Sequence, residues 1–317
     1  RHSAEEVIGY LETAKALKVL VVGETIIDEY QYCEMIGGAT KDPILAALYR
    51  STEKFAGGVV AVANHVANFC DEVAMVTMLG DRDSQEDFVR QNLKSNVEPI
   101  FFYKSDSPTI VKRRYVESHL IQKIFEVYEM NDDELSPDEA RFLCSELEEV
   151  LPRYDLVIVV DYGHGMIGRN MVDLLCQDAR FLAVNTQANA GNRGFNTISK
   201  YHRADYVCIA KHEIALEERD RREEVRDMIL SVSKKLKCAR VMVTQSKDGN
   251  IYYNQDAGFA EAPAFDQQPV HGAADFPCPA QQGRAFPRLV AFDFAQVMGQ
   301  AQPAACRIGR RRYIGST

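Results

Sequence analysis

The stretch Leu17-Lys18-Val19-Leu20-Val21-Val22-Gly23 decides the fold. A continuous aliphatic run of this kind, closed by a glycine, fits a strand buried on both faces. Working outward, the signature returns at Val73 to Leu79, Leu156 to Val160, Phe181 to Val184, Tyr206 to Ile209 and Val241 to Thr244. Helical periodicity fills the spaces between. An N-terminal helix is expected within residues 1–16, with Val7, Ile8, Leu11 and Ala14 at helical spacing. Ser136-Pro137-Asp138-Glu139 joins an N-cap, a proline at the first helical position and a capping-box glutamate. Phe142, Leu143, Leu147 and Val150 supply the buried stripe of that helix, and Val225, Met228, Ile229 and Val232 supply one between Arg222 and Lys235. Buried strands alternating with helices predict an α/β fold, a doubly wound and mainly parallel sheet with helices on both faces. Tyr30 to Tyr49 and Pro99 to Phe125 break the rhythm with shorter, more polar, β-branched and aromatic runs. They predict a small antiparallel flap inserted into the larger domain.

Composition narrows the function. A chain of 317 residues with 46% hydrophobic and 26% charged residues has an ordinary globular balance. A net charge of −9 argues against nucleic acid as a partner, because that binding needs clustered cations to replace phosphate counterions. No apolar run approaches the roughly 20 residues of a membrane span, and Arg1-His2-Ser3 opens no apolar signal segment. An opening Arg suggests a processed chain or a domain cut from something longer. The eight cysteines never approach C-x-x-C spacing and mostly sit in apolar runs, which predicts buried reduced thiols and a cytoplasmic setting. The seven histidines form no metal-ligand cluster, so a dedicated zinc site is not expected.

In open α/β sheets, ligands bind beyond the carboxyl ends of the strands. After the first strand, Gly23-Glu24-Thr25-Ile26-Ile27-Asp28 places a carboxylate five residues past the glycine. Asp28 there either accepts hydrogen bonds from two sugar hydroxyls or is a solvated turn residue. Ala56-Gly57-Gly58-Val59-Val60 opens an apolar helix with paired glycines, which lets a ligand approach the backbone and its free N–H groups. Asn64 and His65 follow within that helix.

With these two elements in place, the chain resembles the ribokinase-like PfkB carbohydrate kinases over about residues 17–262. Thr109-Ile110-Val111-Lys112-Arg113-Arg114-Tyr115 and Val160-Asp161-Tyr162-Gly163-His164-Gly165 are similar to the TxxKxR and SDYxKG segments of the heptose-phosphate kinase branch. That branch forms the kinase half of ADP-heptose synthases. Thr244-Gln245-Ser246-Lys247-Asp248-Gly249 looks like its nucleotide-binding turn. The resemblance implies transfer of the γ-phosphoryl group of ATP, with Mg2+, to a hydroxyl of a sugar or sugar phosphate. It assigns the sugar to Asp28, Gly57, Gly58, Asn64 and Asp161, and a substrate phosphate to Lys112 and Arg114. It assigns the nucleotide to Thr244, Ser246 and Gly249, and the water around Mg2+ to Glu213. It also implies flap-to-flap homodimers, and it allows a nucleotidyltransferase domain as a fused or separate partner. Blander readings stay open for three of these. Lys112 and Arg114 could form a solvated strand edge, and Glu213 a favourable charge at a helix start.

The chain departs from the family in several places. Ala61 stands where an Asn commonly lies three residues beyond the glycine pair, and the N-x-x-E element reads Ala210-Lys211-His212-Glu213. Asn185 replaces an expected Asp and opens an amide-rich run to Gly194, either a polar-ligand loop or an ordinary surface loop. The largest departure is the segment 263–317, which holds six of the eleven prolines, no Lys and no Glu. The family's GAGD anion hole and base should fall here. Its nearest counterpart is Gly272-Ala273-Ala274-Asp275-Phe276, with Asp275 as the available catalytic base and Pro277 and Pro279 close behind. Three readings of this segment stand: a reading-frame change, a diverged segment in which Asp275 still serves, or a non-enzymatic relative. The competing function is carbohydrate or nucleotide binding without catalysis.

Overall fold

A computed structural model describes residues 3–39 and 41–264. In chain order its strands are β1 (Lys18–Gly23), β2 (Thr25–Gly38), β3 (Leu45–Gly58), β4 (Glu72–Arg82), β5 (Val97–Pro108), β6 (Ile110–Glu117) and β7 (Gln122–Glu129). They continue with β8 (Leu156–Asp161), β9 (Leu182–Thr186), β10 (Tyr206–Ala210), β11 (Arg240–Thr244), β12 (Asn250–Asn254) and β13 (Gly258–Ala262). The helices are α1 (Ala4–Ala14), α2 (Val59–Val66), α3 (Glu86–Gln91), α4 (Pro137–Val150), α5 (Arg169–Asp178), α6 (Lys211–Glu218) and α7 (Val225–Lys235).

The large sheet runs β13-β12-β11-β10-β9-β8-β1-β4-β5. Strands β5 through β11 in that order are parallel, and β12 and β13 add an antiparallel hairpin at the edge. From β1 the chain winds outward to β4 and β5, then returns to β8 and winds the other way. The winding direction therefore reverses between β1 and β8, and their carboxyl ends are where open α/β sheets bind ligands. Alternation along the strands explains the two cores. Leu20, Val22, Val157 and Val159 join a cluster with residues of α4, α5 and α7, whereas Val19 and Val21 join one with α2. Val19 to Val22 have no accessible surface. Each such side chain contributes roughly 1.5–3 kcal/mol by leaving water. The α4 capping box is present as expected, with Ser136 and Glu139 bonding each other's backbone.

A second sheet, β3-β2-β6-β7, stands at the carboxyl end of the first. It corrects the expected flap in two ways. Its strands span 25–58 and 110–129, so residues 99–108 belong instead to β5 of the large sheet. An edge strand contacts only one neighbour, which is why β5 lacks the continuous apolar signature of its inner neighbours. Its central pair, β2 with β6, is also parallel, while the outer pairings are antiparallel. The junctions between the sheets are pinned: the hydroxyls of Thr25 and Thr77 lie 2.8 Å apart, and Thr109 Oγ1 accepts the Gly80 N–H at 2.9 Å.

Two expected core stripes need correction. Val7 and Ile8 are exposed on α1, and only Ala14 near its end is buried. Phe142 is exposed on α4, tilted against Phe102 at the rim, so Leu143 and Leu147 carry that helix's burial.

Candidate active site

The small sheet gathers most of the expected acceptor residues on one face. Asp28 on β2 pairs in register with Lys112 on β6, and Tyr30 with Arg114, so all four project to the same side. Arg114 forms an ion pair with Asp28, and its Nε also donates to Glu126 of β7 at 2.9 Å. Burial pulls the Arg114 guanidinium down, but the Asp28 carboxylate more than offsets this, so it stays fully charged. Lys112 is 7% exposed and stands over the Tyr128 ring, with Nζ 5.2 Å from the ring centre. Burial lowers its pKa, and Asp28 counters that only in part. Among the described residues its ammonium has no hydrogen-bond acceptor and no carboxylate within ion-pair distance.

Gly57 faces Asp28 across β2 and β3. A Cβ at position 57 would stand 2.2 Å from the Asp28 carboxylate, so this glycine is what lets the acid occupy its place. Gly58 has φ +58°, a conformation that favours glycine, and a Cβ there would meet the Glu24 carbonyl at 2.3 Å. Asn64 is not brought to this cluster. More than a turn into α2, its Nδ2 donates to the Asn92 carbonyl at 2.7 Å and its Oδ1 accepts the Lys94 N–H at 2.8 Å. The amide braces α2 against the loop before β5.

Asp161 ends β8 as expected, but below the surface. It has no exposed area; Oδ1 accepts the Gly163 N–H at 3.0 Å and the Asn196 amide at 3.2 Å. Oδ2 accepts the Tyr201 hydroxyl at 2.7 Å and forms an ion pair with Lys200. The carboxylate is a fixed hub at the carboxyl end of β8. The amide-rich run proves to be a strap over the same turn. Asn189 and Asn192 donate to the Tyr162 carbonyl at 2.9 and 2.7 Å, and Asn196 to the Asp161 carbonyl at 3.0 Å. His164 is buried within this hub, its Nδ1 2.7 Å from Asp132. Burial lowers its pKa against that carboxylate.

The nucleotide candidates lie further along the same edge. Thr244 ends β11 half-buried, and the turn after it places Ser246 at φ +55° and Gly249 at φ +87°. A Cβ on Gly249 would stand 2.1 Å from the Ala262 carbonyl, so the turn depends on glycine. Glu213, at the start of α6, accepts the Ala210 N–H at 2.7 Å and the Ala188 N–H at 3.1 Å. Burial raises its pKa against those two bonds. Among the described residues, no three His, Cys, Asp or Glu side chains converge to hold a metal ion. Asp275 lies outside the described residues. Sequence reasoning missed Glu24, a fully buried carboxylate whose pKa is raised to about 7 by burial and by Asp161. Its only sequence signal was an acid directly after the glycine that ends an apolar strand.

Comparison with known proteins agrees with this fold. Residues 16–273 match the model of the pfkB family of carbohydrate kinases. Among curated relatives, the bifunctional protein HldE of Pasteurella multocida is 24% identical over 270 residues, covering 84% of this chain and 55% of the relative. HldE of Gluconacetobacter diazotrophicus is 22% identical over 267 residues, covering 82% and 54%. The chain thus spans about half the length of the curated relatives it matches. Among solved structures, phosphofructokinase-2 from Escherichia coli in complex with potassium superposes with a TM-score of 0.60 at 13% identity, over 80% of each chain. Ribokinase from Arabidopsis thaliana complexed with ribose and ATP gives 0.58 at 14% identity, over 90% of this chain and 87% of its own. These two likenesses carry the ribokinase-like fold.

Proposed function

The chain belongs to the pfkB family of carbohydrate kinases, and from that premise we propose that it transfers the γ-phosphoryl group of ATP to a hydroxyl of a sugar phosphate. The observation that carries the reading is Lys112. Its stem is buried, and its ammonium meets no acceptor or carboxylate partner among the described residues, which leaves that charge for an incoming anion. It shares a face with Asp28, the carboxylate suited to sugar hydroxyls. A sugar bearing a phosphate satisfies both, with the ring's hydroxyls on Asp28 and the phosphate on Lys112. Arg114, already held between two carboxylates, orients Asp28.

The nucleotide residues fit ATP as far as they are described. Thr244 offers a half-buried hydroxyl, and Gly249 keeps a tight turn free of side chain. ATP supplies the transferred group, and Mg2+ would come with its phosphates and water. Glu213 is the carboxylate the family likeness offers to that water. Its two oxygens already hold the Ala188 loop and the start of α6, so its part is to fix those amides. Asp275 is the residue proposed to take the hydroxyl proton.

The HldE relatives, bifunctional by name and longer than this chain, support a heptose phosphate as acceptor and a nucleotidyltransferase unit as partner. Exposed Leu45, Leu48, Tyr49, Phe125 and Val127 on the small sheet support a homodimer through that sheet. Cys33, Cys70, Cys176 and Cys238 are buried thiols, which suits the cytoplasm. A second reading, binding without catalysis, is favoured by Asp161 and Glu213, whose oxygens all serve internal bonds. The test is ADP release with ATP, Mg2+ and a panel of heptose, hexose and pentose phosphates. Turnover lost in Asp275→Asn supports the kinase; tight sugar phosphate binding without ADP supports the second reading.

A further inference from the structure

Glu24 stands at the reversal point of the large sheet, directly after the glycine that ends β1. Its Oε2 accepts the Tyr162 N–H and its Oε1 the His164 N–H, each at 3.0 Å. Its backbone carbonyl accepts the N–H of Val59, the first residue of α2, also at 3.0 Å. A Cβ on Gly58 would collide with that same carbonyl. Four residues on, the chain reaches Asp28. One side chain thus bonds the turn after β8, while its own backbone bonds the glycine turn and leads into the strand that bears the acceptor carboxylate. We infer that Glu24 is the positioning residue that aligns these three segments around the acceptor sugar, a role that rests on the kinase reading of this pocket.

The chemistry of the two amides selects a carboxylate. Tyr162 and His164 flank Gly163, whose φ of +68° turns their N–H groups toward the same neighbour. Only a bidentate acceptor satisfies both; Gln would present an amide N–H to one of them, and a hydroxyl would reach only one. The fold keeps an acid here despite its burial and the nearby charge of Asp161. The other groups that face it are Lys200 and Lys112, which favour its ionised form, and the hydroxyls of Tyr162 and Tyr201. Once protonated, one of its oxygens carries hydrogen and no longer accepts its amide. The β8 turn then loosens on the acceptor side and leaves the nucleotide turn after β11 untouched.

The test uses wild type, Glu24→Gln and Glu24→Ala of the full chain, with two readouts. Amide hydrogen exchange at Tyr162, His164 and Val59 reads the brace; initial rates with ATP and the best acceptor of the sugar phosphate panel read its consequence. Faster exchange at residues 162–164 in Glu24→Gln is expected, with the acceptor KM raised about tenfold, the worth of one hydrogen bond to a charged group, and the ATP KM changed less than about twofold. The wild-type acceptor KM should rise as pH falls through about 7, and that dependence should vanish in Glu24→Gln. Unchanged exchange overturns the brace. Faster exchange with an unchanged acceptor KM, or equal rises in both KM values, overturns the positioning role. If Glu24→Ala fails to fold, Glu24→Gln, nearly isosteric, decides. If wild type turns over no acceptor, the kinase reading fails by itself, and exchange measured with and without fructose 6-phosphate decides the brace: protection gained in wild type and absent in Glu24→Gln supports it, and no difference overturns it.

Discussion

Arg114 of β6 closes an ion pair on Asp28 of the adjacent parallel strand, while Glu126 of β7 holds its Nε at 2.9 Å from the other side. Two residues earlier on the same face, Lys112 stands over the Tyr128 ring and forms no ion pair among the described residues. The two cations therefore differ in role. Arg114 is neutralised by the protein and acts as a scaffold; in the proposed function, Lys112 is the cation left for the substrate phosphate. Removing each should give different kinetics.

Lys112→Met keeps the stem and deletes the charge. It should lower kcat/KM for a phosphorylated acceptor by about 100-fold, and leave the unphosphorylated sugar within about threefold. Stability should hold or rise, because a desolvated ammonium is removed from the folded state. Parallel assays on a sugar and its phosphate ester, with thermal unfolding, check both parts.

Gly57→Ala should imitate Asp28→Asn. The new Cβ would occupy the position of the Asp28 carboxylate, 2.2 Å away, and force that side chain to turn aside. Both variants should raise the acceptor KM by roughly 10-fold or more while the ATP KM stays near wild type. A Gly57→Ala enzyme with normal acceptor KM would show that Asp28 does not need its observed position.

Glu213→Gln separates an anchor from a metal-water ligand. Losing a charged acceptor for two backbone amides should cost about 1–3 kcal/mol, a fall of several degrees in Tm for a domain of this size. Because both oxygens already serve amides, half-saturating Mg2+ should change less than about threefold. A Mg2+ titration of ADP release beside a melting curve distinguishes the outcomes.

Stability should vary with pH through Glu24. Its folded pKa of about 7 lies above the ordinary glutamate value of 4.5, so between these limits the folded chain holds the extra proton. Its contribution is present at low pH and is lost as pH rises through about 7. Glu24→Gln removes that dependence. The unfolding free energy, variant minus wild type, should therefore be more positive at about pH 8 than at about pH 5, by an amount on the order of 1–3 kcal/mol.

The large sheet was legible because its inner strands are buried on both faces, and a short β-branched run such as Leu156 to Val160 fits a buried strand better than a helix. β5 was misread because an edge strand carries polar residues on its open side, so Pro99 to Pro108 looked like flap. The proposed acceptor face was legible where backbone demanded it, in Gly57 and Gly58, and where Lys112 and Arg114 stand two residues apart on β6. Asn64, Asp161 and Glu213 illustrate the limit. Sequence places a polar side chain near a strand end, but only the fold shows that its hydrogen bonds go to Asn92, to Tyr201 and Lys200, or to two backbone amides. Glu24 was hidden for the same reason, since its partners lie far along the chain in the turn after β8.

The most direct measurement is ATP- and Mg2+-dependent ADP release by the full chain, with heptose, hexose and pentose phosphates and with their unphosphorylated sugars, in wild type and Lys112→Met. A face built as observed should favour a phosphorylated acceptor in wild type and lose most of that preference in Lys112→Met. ADP release that is absent with every acceptor, or that ignores both the phosphate and Lys112, would contradict the assignment of this face to a sugar phosphate.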